Sequence, residues 1–347
     1  MKNRPITFSK NVFIPVTNVC RNKCTYCGFR RPPEHKDAFL MTESEVAAIL
    51  KRGAETGCTE AMFAFGEMPE ENSEFVNKFG EQLNAAGFKT VIEYTAHLCK
   101  MALDVGLLPH VNGGILSFEE LKMLAPLNAS MGLMLETTAV IPAHKDCPGK
   151  VPAARLEMIE NAGKLKMPFT TGLLVGIGET RADWAISLQE IKRLHEKYGH
   201  IQEIILQNYT PNSGQDAVGN VTDIPISKSG LVPPTKADMI DLIVLTKSIL
   251  PPDISIQTAP NLMSPIELIQ YGVTDLGGIS PVTIDFINPE STWPKIDELK
   301  NLLQSKGYEF RERLPVHSQY VKKGWYGSET VGLIQKLAAT DGYRKTE

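Results

Sequence analysis

The chain has 347 residues, of which 42% are hydrophobic and 22% charged, and its formal net charge is -4. This composition is typical of a globular protein and excludes extensive disorder, and the scattered basic residues do not indicate a nucleic-acid partner. The chain shows no signal-peptide pattern at its start and no apolar run near the ~20 residues of a membrane span. We therefore expect a cytoplasmic protein that binds neither nucleic acid nor membranes.

Strand-like and helical patterns alternate along the chain. The capping-box pairs Thr42 with Glu45 and Ser117 with Glu120 mark two helix starts. The eight predicted strands are residues 11–16, 59–65, 107–112, 129–135, 169–177, 201–209, 253–258 and 274–279. The predicted helices are residues 41–57, 72–87, 91–106, one after Ser117, 152–166, 180–198, 235–249, 264–271 and 295–306. The stretch 210–234, rich in Gly, Asn, Pro and Ser, is a predicted loop.

Eight strands that alternate with helices predict an α/β fold, a single (β/α)8 barrel of the TIM type. A doubly wound open sheet is the alternative. It is disfavoured because "GIGETR" has Arg181 where the third glycine of a dinucleotide-binding fingerprint belongs. We expect one barrel domain over residues 1–325 and a C-terminal tail over residues 326–347. The segment from about Arg311 looks extended, and the last residues look frayed.

Three of the six cysteines form a CxxxCxxC cluster directly after the first predicted strand: Cys20, Cys24 and Cys27. In a barrel this loop lies at the C-terminal face, where such enzymes carry out their chemistry. Three thiolates can hold three corners of a 4Fe-4S cluster and leave one iron open. A zinc site completed by His35 is one alternative. Three unliganded thiols are the other, and they would have a low pKa and oxidise easily.

The remaining cysteines are isolated in the sequence. Cys58 and Cys99 lie in apolar periodic segments, where a thiol is usually a small buried hydrophobic group. Cys147 lies in the polar stretch "HKDCPGK", where a thiol can be exposed. None of the three has a base beside it in sequence, so we expect no catalytic role for them.

"CRNKCTYC" resembles the cluster-binding motif of the radical S-adenosylmethionine (SAM) enzymes, including the aromatic residue before the last cysteine. The resemblance implies that SAM chelates the open iron and releases a 5′-deoxyadenosyl radical. "FGEMP" resembles the GGEP element, although Phe65 departs from its first glycine. The SAM contacts implied by the resemblance are Gly66 and Glu67 near the amino group, Glu136 at the ribose, Arg155 at the carboxylate, and Gly176 and Tyr26 at the adenine.

Longer segments resemble one family of these enzymes, the 7,8-didemethyl-8-hydroxy-5-deazariboflavin synthases. They include "FSKNVFIPVTNVCRNKCTYCGFRRPP", "LLPHVNGGILS" and "DLGGISPVTIDFINPE", and the resemblance runs from about Thr7 to Val321. It implies a carbon–nitrogen lyase of deazaflavin coenzyme biosynthesis that abstracts hydrogen from the 5-amino-5-(4-hydroxybenzyl)-6-(ribitylimino)uracil adduct, closes the ring and releases ammonia. The substrate residues it implies are His144, Lys150, Asn208, Tyr209, Asn261, Ser280 and Asp285.

The same resemblance implies two partners. The chain has room for one barrel, so a separate second radical SAM subunit makes the tyrosine–uracil adduct, and a low-potential donor supplies electrons. Two alternatives stay open. One is another radical SAM barrel, such as a menaquinone-pathway cyclase or a biotin-synthase-like sulfur inserter. The latter usually needs a second cluster, for which the isolated cysteines lack the grouping. The other is a non-enzymatic zinc-binding module, which the barrel-sized chain disfavours.

Overall fold

The computed structural model describes residues 4–211 and 230–345, and its centre is a ring of parallel strands. These strands are β1 Ile6–Pro15, β2 Glu60–Ala64, β3 Leu108–Asn112, β4 Ser130–Gly132, β5 Phe169–Val175, β6 Ile201–Asn208, β7 Ser255–Gln257 and β8 Asp275–Ile279. Each pairs with the next, and β1 pairs with both β2 and β8, so the ring is closed. The predicted (β/α)8 barrel is confirmed. Seven of the predicted strands contain one of these eight, whereas the first, 11–16, covers only the second half of β1, which begins five residues earlier.

Helices surround the barrel at nearly all the predicted places. They are α1 Glu43–Glu55, α2 Ser73–Ala85, α3 Val91–Asp104, α4 Phe118–Leu124, α5 Pro152–Lys164, α6 Arg181–Tyr198, α7 Lys236–Ile249 and α8 Ile296–Ser305. The capping boxes at Thr42 and Ser117 are formed as predicted. The predicted helix 264–271 is wrong, since this segment forms two separate 3-10 turns. Each turn is closed by a bond between residues three apart, from the Leu268 amide to the Pro265 carbonyl and from the Gly272 amide to the Ile269 carbonyl.

The C-terminal segment is less extended than predicted. A ninth strand, β9 Phe310–Arg313, pairs with the first part of β1, below the part that pairs with β2. Two short helices follow, α9 Ser318–Lys323 and α10 Val331–Leu337. A bridge joins Ala338 to Arg344, so the expected fraying is wrong for the described part of this segment. The domain division at residue 325 stays a prediction.

Alternation along the strands sorts side chains between two environments. On β1, Val12 and Ile14 belong to the continuous apolar core, which includes residues of the surrounding helices. Asn11 and Phe13 line a cavity within the barrel. Below this cavity, Arg313 of β9 bonds to two buried carboxylates and closes the N-terminal end of the barrel. The cavity therefore occupies the half of the barrel nearer the carboxyl ends of the strands. Within the described residues, the structure contains no helix long and apolar enough to cross a membrane.

Candidate active site

A cavity of about 350 Å³ lies at the carboxyl ends of the strands. The loops after β2 and β4 give it a charged side, formed by Glu67, Glu136, Lys150 and Arg155. The side formed by β6, β7, β1 and the loop after β8 carries neutral amides and aromatic rings. Its members are Asn11, Phe13, Gln207, Gln257, Asn288 and Trp293. The three clustered cysteines line the same cavity, so the predicted metal site and an organic ligand would meet there.

The cysteine loop directs backbone N–H groups at its sulfurs. The Asn22 and Glu67 amides donate to the Sγ of Cys20, at 3.4 and 3.2 Å. The Arg30 amide donates to the Sγ of Cys27 at 3.4 Å. Hydrogen bonds of this kind stabilise thiolate ligands and tune iron–sulfur clusters. The loop therefore suits three thiolates bound to metal.

Burial raises the pKa of the Cys20 thiol to about 12, and the pKa of Cys27 is raised for the same reason. The pKa of Cys24 is raised well above its ordinary value, first by a hydrogen bond with Cys147 and then by burial. The low pKa expected of unliganded thiols is therefore wrong, because the half-buried loop keeps water away from the sulfurs. Without a ligand they hold their protons, which metal binding would release. Cys147 is itself buried beside Cys24, so the exposure considered for it is also wrong.

The spacing of the cysteines does not fit a single ion. Zinc–sulfur bonds of about 2.3 Å place the sulfurs around one zinc within roughly 4.6 Å of each other. Within the described ranges, the one group of three possible ligands whose atoms all lie within 4.8 Å is Glu203, Asp275 and His317, at the closed end of the barrel. The Arg313 guanidinium already bonds to both carboxylates there. His35, the proposed fourth zinc ligand, does not line the cavity. A larger cluster fits the three cysteines better than zinc does.

Gly66 and Glu67 fix the cysteine loop to the end of β2. A Cβ atom at Gly66 would lie 1.9 Å from the Val19 carbonyl oxygen, so only glycine allows this approach. The Glu67 carboxylate accepts hydrogen bonds from Arg21 Nε at 2.8 Å and from the Ile115 amide at 2.9 Å. Its side chain therefore has protein partners, which leaves the backbone as the part that could contact a cofactor.

A buried ion-pair group lies beside this turn, with Arg155 Nη1 3.9 Å from Glu67 Oε2. Lys150 Nζ donates to Glu136 Oε1 at 2.6 Å, and Arg155 Nη2 lies 3.9 Å from the same oxygen. Burial alone would raise the pKa of Glu136, but Lys150 and Arg155 outweigh it and the pKa falls below its ordinary value. Arg155 is held by the Met134 and Gly149 carbonyl oxygens, at 2.6 and 2.7 Å. The group thus presents an ionised carboxylate between two cations.

Tyr26 connects the cysteine loop to the loop after β4. Burial lowers the pKa of His144 to about 4 and raises the pKa of Tyr26 well above its ordinary value. The imidazole is therefore neutral, and its Nε2 forms a hydrogen bond with the Tyr26 hydroxyl at 2.9 Å. His144 holds Tyr26 from outside the cavity and does not line it.

Comparison with known proteins agrees with this geometry. A family model described as the radical SAM superfamily matches residues 14–191. The chain is 53% identical over 341 residues to the 7,8-didemethyl-8-hydroxy-5-deazariboflavin synthase of Methanosarcina mazei, with 98% of this chain and 96% of that protein covered. It is 51% identical over 342 residues to the synthase of Methanococcoides burtonii, covering 99% and 98%. The chain belongs to this synthase family of the radical SAM superfamily.

A solved structure of similar fold supports the barrel. The FeFe-hydrogenase maturase HydG from Carboxydothermus hydrogenoformans matches with a TM-score of 0.66 at 17% identity, covering 96% of this chain and 78% of that one. At this identity the likeness concerns the fold alone. The superfamily name implies an iron–sulfur cluster and SAM, and the N–H-bonded, widely spaced cysteines fit such a cluster.

The structure brings most of the predicted site residues of this synthase family member to the cavity. Those that line it are Cys20, Cys24, Cys27, Tyr26, Gly66, Glu67, Glu136, Arg155, Lys150, Asn208, Tyr209 and Asp285. Four lie outside its lining: Gly176, His144, Asn261 and Ser280. Gly176 packs against Val232, and Ser280 bonds within its own loop. Asn261 donates to Asp285 at 2.9 Å, so it supports a residue that does line the cavity.

The sequence interpretation missed the neutral side. Asn11 and Phe13 lie on β1, Ile205 and Gln207 on β6, and each pair is separated by one residue. The side chains that face the cavity therefore recur at every second position, and on these otherwise apolar strands they include polar and aromatic residues. This period of two is the signal that could have found them. Lys150 was predicted as a substrate residue, yet it pairs with Glu136 on the charged side.

Proposed function

We propose that this chain is a radical SAM carbon–nitrogen lyase that converts the tyrosine–uracil adduct into 7,8-didemethyl-8-hydroxy-5-deazariboflavin and releases ammonia. The observation that carries the proposal is the 53% identity, over 98% of the chain, to a synthase of that product. The cavity supports it, because three half-buried cysteines and a set of neutral amides line one space. An organic substrate could lie there next to a radical source.

The residues that would hold the cofactors lie on the charged side and in the cysteine loop. Cys20, Cys24 and Cys27 would bind a 4Fe-4S cluster, and SAM would occupy its open iron. Together these groups supply a 5′-deoxyadenosyl radical when bound. The chain's own contacts to SAM would come from the backbone at Tyr26, Gly66 and Glu67, and from Glu136 and Arg155. Gly176 shapes this site from outside the cavity.

Glu136 and Arg155 would orient SAM through charge. Glu136 is buried and its pKa is lowered, so it stays ionised and can accept hydrogen bonds from ribose hydroxyls. Two of Arg155's nitrogen atoms donate to backbone carbonyls, and its Nη2 points toward Glu136. That nitrogen is the one able to meet a carboxylate of SAM. The guanidinium thereby both fixes the loop after β4 and supplies a positive charge.

Apolar side chains would protect a radical from water and from unwanted partners. Met62, Leu133, Met134, Leu174 and Ile205 line the cavity between the charged and neutral sides. Enclosure of this kind restricts a reactive intermediate to the bound substrate. Lys150, Asn208, Tyr209 and Asp285 are the predicted substrate residues that line the cavity. His144, Asn261 and Ser280 would act through the residues they hold.

The remaining parts of the proposal concern the surroundings of the reaction. The chain forms one barrel with one cysteine triad, so a separate second radical SAM subunit makes the adduct. A low-potential donor reduces the cluster. The reaction takes place in the cytoplasm, where a reducing environment protects the thiols.

The direct test is the reaction under anaerobic conditions. Reconstituted, reduced enzyme with SAM and the adduct should give 5′-deoxyadenosine, methionine, ammonia and a fluorescent deazaflavin. The same enzyme with tyrosine and the diaminouracil should give no deazaflavin. Deazaflavin from these free precursors would contradict the division between two subunits. Normal SAM cleavage without deazaflavin from the adduct would instead favour another radical SAM reaction.

A further inference from the structure

Two amide side chains form the deep end of the cavity on its neutral side: Asn11 on β1 and Gln257 on β7. The strand between them, β8, carries the pair Gly277 and Gly278. A Cβ atom at Gly278 would lie 2.2 Å from Asn11 Nδ2, and one at Gly277 would lie 2.1 Å from the Gln257 amide. Gly277 also has a φ of +69°, which glycine adopts without strain. The two glycines therefore make room for the two amides, which we call the amide floor.

The amide floor is anchored from below. With its nitrogen facing Glu203, the Gln257 amide donates to the carboxylate oxygens at 2.9 and 3.2 Å. Glu203 in turn accepts from Arg313 Nη2 at 3.0 Å. Arg313 also bonds to Asp275 at 2.7 and 2.9 Å. The C-terminal strand β9 thus fixes the orientation of Gln257.

Two buried polar atoms on this side have no partner. Among the described residues, none forms a hydrogen bond with Asn11 Oδ1 or with Trp293 Nε1. Asn11 is only 2% exposed, and both residues line the cavity. Buried polar groups in proteins are nearly always hydrogen-bonded, so each of these atoms is available to a ligand that a small side-chain rotation lets it reach.

The chemistry of the neutral side selects the kind of ligand. Its amides, Asn11, Gln207, Gln257 and Asn288, offer both donors and acceptors, and the Asp285 carboxylate, which also lines the cavity here, already accepts from the Asn261 and Asn288 side chains. Phe13 and Trp293 add flat apolar surface. This combination suits a neutral planar heterocycle with alternating N–H and C=O groups. A charged ligand such as the methionine part of SAM fits the opposite side, where Lys150 and Arg155 lie.

We infer that the amide floor binds the uracil ring of the substrate: with its side-chain amide turned toward the cavity, Asn11 accepts through Oδ1 from the ring imide N–H, and Trp293 Nε1 donates to an oxygen of the same molecule. The inference rests on the proposed function and deepens it by naming the subsite. It moves uracil recognition away from Asn261 and Ser280, which lie outside the cavity lining. Asn11, Gln257 and Trp293 become residues that determine substrate specificity.

The test compares Asn11→Leu, Trp293→Phe and the control Gln82→Leu. Leucine has the branching and the number of side-chain heavy atoms of asparagine, and phenylalanine keeps an aromatic ring while removing the N–H. Gln82 lies on α2, outside the cavity lining, and its side-chain amide donates to the Leu40 carbonyl. Each of the first two variants should raise the KM for the adduct by about tenfold. The control should leave KM unchanged, and SAM affinity should be unchanged in all three.

A substrate analogue methylated at the imide nitrogen separates recognition from general damage. It should bind the parent enzyme at least about tenfold more weakly than the adduct does, because the Asn11 oxygen loses its donor. In Asn11→Leu the methylation penalty should largely vanish, since the interaction is already absent.

Three results would overturn the inference. The first is a parent enzyme that tolerates imide methylation, and this result needs no variant to fold. The second is deazaflavin formation by Asn11→Leu with unchanged KM, which would leave the proposed function standing. The third is a loss of SAM affinity in Asn11→Leu, which would assign the amide floor to the cofactor. If the parent enzyme makes no deazaflavin at all, the proposed function fails and the inference fails with it.

Discussion

Replacing Lys150 by methionine should weaken SAM binding through Glu136. The Lys150 ammonium lies 2.6 Å from Glu136 Oε1, and the two side chains are only 13% and 9% exposed. Methionine keeps most of the apolar stem and removes the charge. Glu136 would then keep one cation, Arg155 Nη2 at 3.9 Å, which is too far for a direct hydrogen bond.

The size of the effect follows from this geometry. Removing one partner of a fully buried ion pair costs about 3–5 kcal/mol, but Arg155 remains and the pair borders an open cavity. A loss of about 1.5–3 kcal/mol, the range of one hydrogen bond to a charged group, is therefore expected. If Glu136 binds the ribose of SAM, the dissociation constant should rise by about ten- to a hundredfold.

The pH dependence of SAM binding gives a second test of the Lys150→Met variant. Lys150 is the strongest influence that lowers the pKa of Glu136 against its burial. Without Lys150 this pKa must rise, so SAM binding should weaken as the pH falls from 8 toward 6. The parent enzyme should change little over this range, because its Glu136 stays ionised.

Anaerobic calorimetry of SAM binding, with iron content measured on the same samples, is the assay. The matched control is Lys145→Met, which removes an exposed lysine from the same loop. Unchanged SAM affinity in Lys150→Met at full iron content, or an equal loss in the control, would refute this account of Glu136.

Two further predictions concern the cluster and the closed end of the barrel. Cys27→Ala should abolish iron–sulfur binding and SAM cleavage. The control Cys58→Ala, which lies outside the cavity, should keep both. A full iron content in Cys27→Ala would contradict the assignment of the cluster ligands. Arg313→Leu should lower the free energy of unfolding by about 3–5 kcal/mol, because it leaves the Asp275 and Glu203 carboxyls buried without their cation. Without that cation, these carboxyls bind protons more tightly in the folded state than in the unfolded state. The loss in free energy of unfolding should therefore shrink as the pH falls from 7 toward about 4. Urea unfolding at both pH values measures it, and a pH-independent loss would argue against the charge explanation.

Local signals in the sequence determined much of the architecture. The capping boxes at Thr42 and Ser117 depend on residues three apart, and alternating strands and helices depend on short-range periodicity. These are properties of single elements, so they can be read before folding. The segment 264–271 shows the limit, since two separate 3-10 turns stand where a helix was predicted.

The cysteine triad was also fixed by the sequence, because eight consecutive residues contain all three cysteines and fold as one loop. Only the tertiary structure decided what surrounds it. Cys147 lies beside Cys24, and Lys150 pairs with Glu136. Asn11 and Gln257 share one floor because β1 and β7 both pair with β8 in the closed ring. Spacing along the chain carries no information about contacts of this kind, since barrel closure determines which side chains meet.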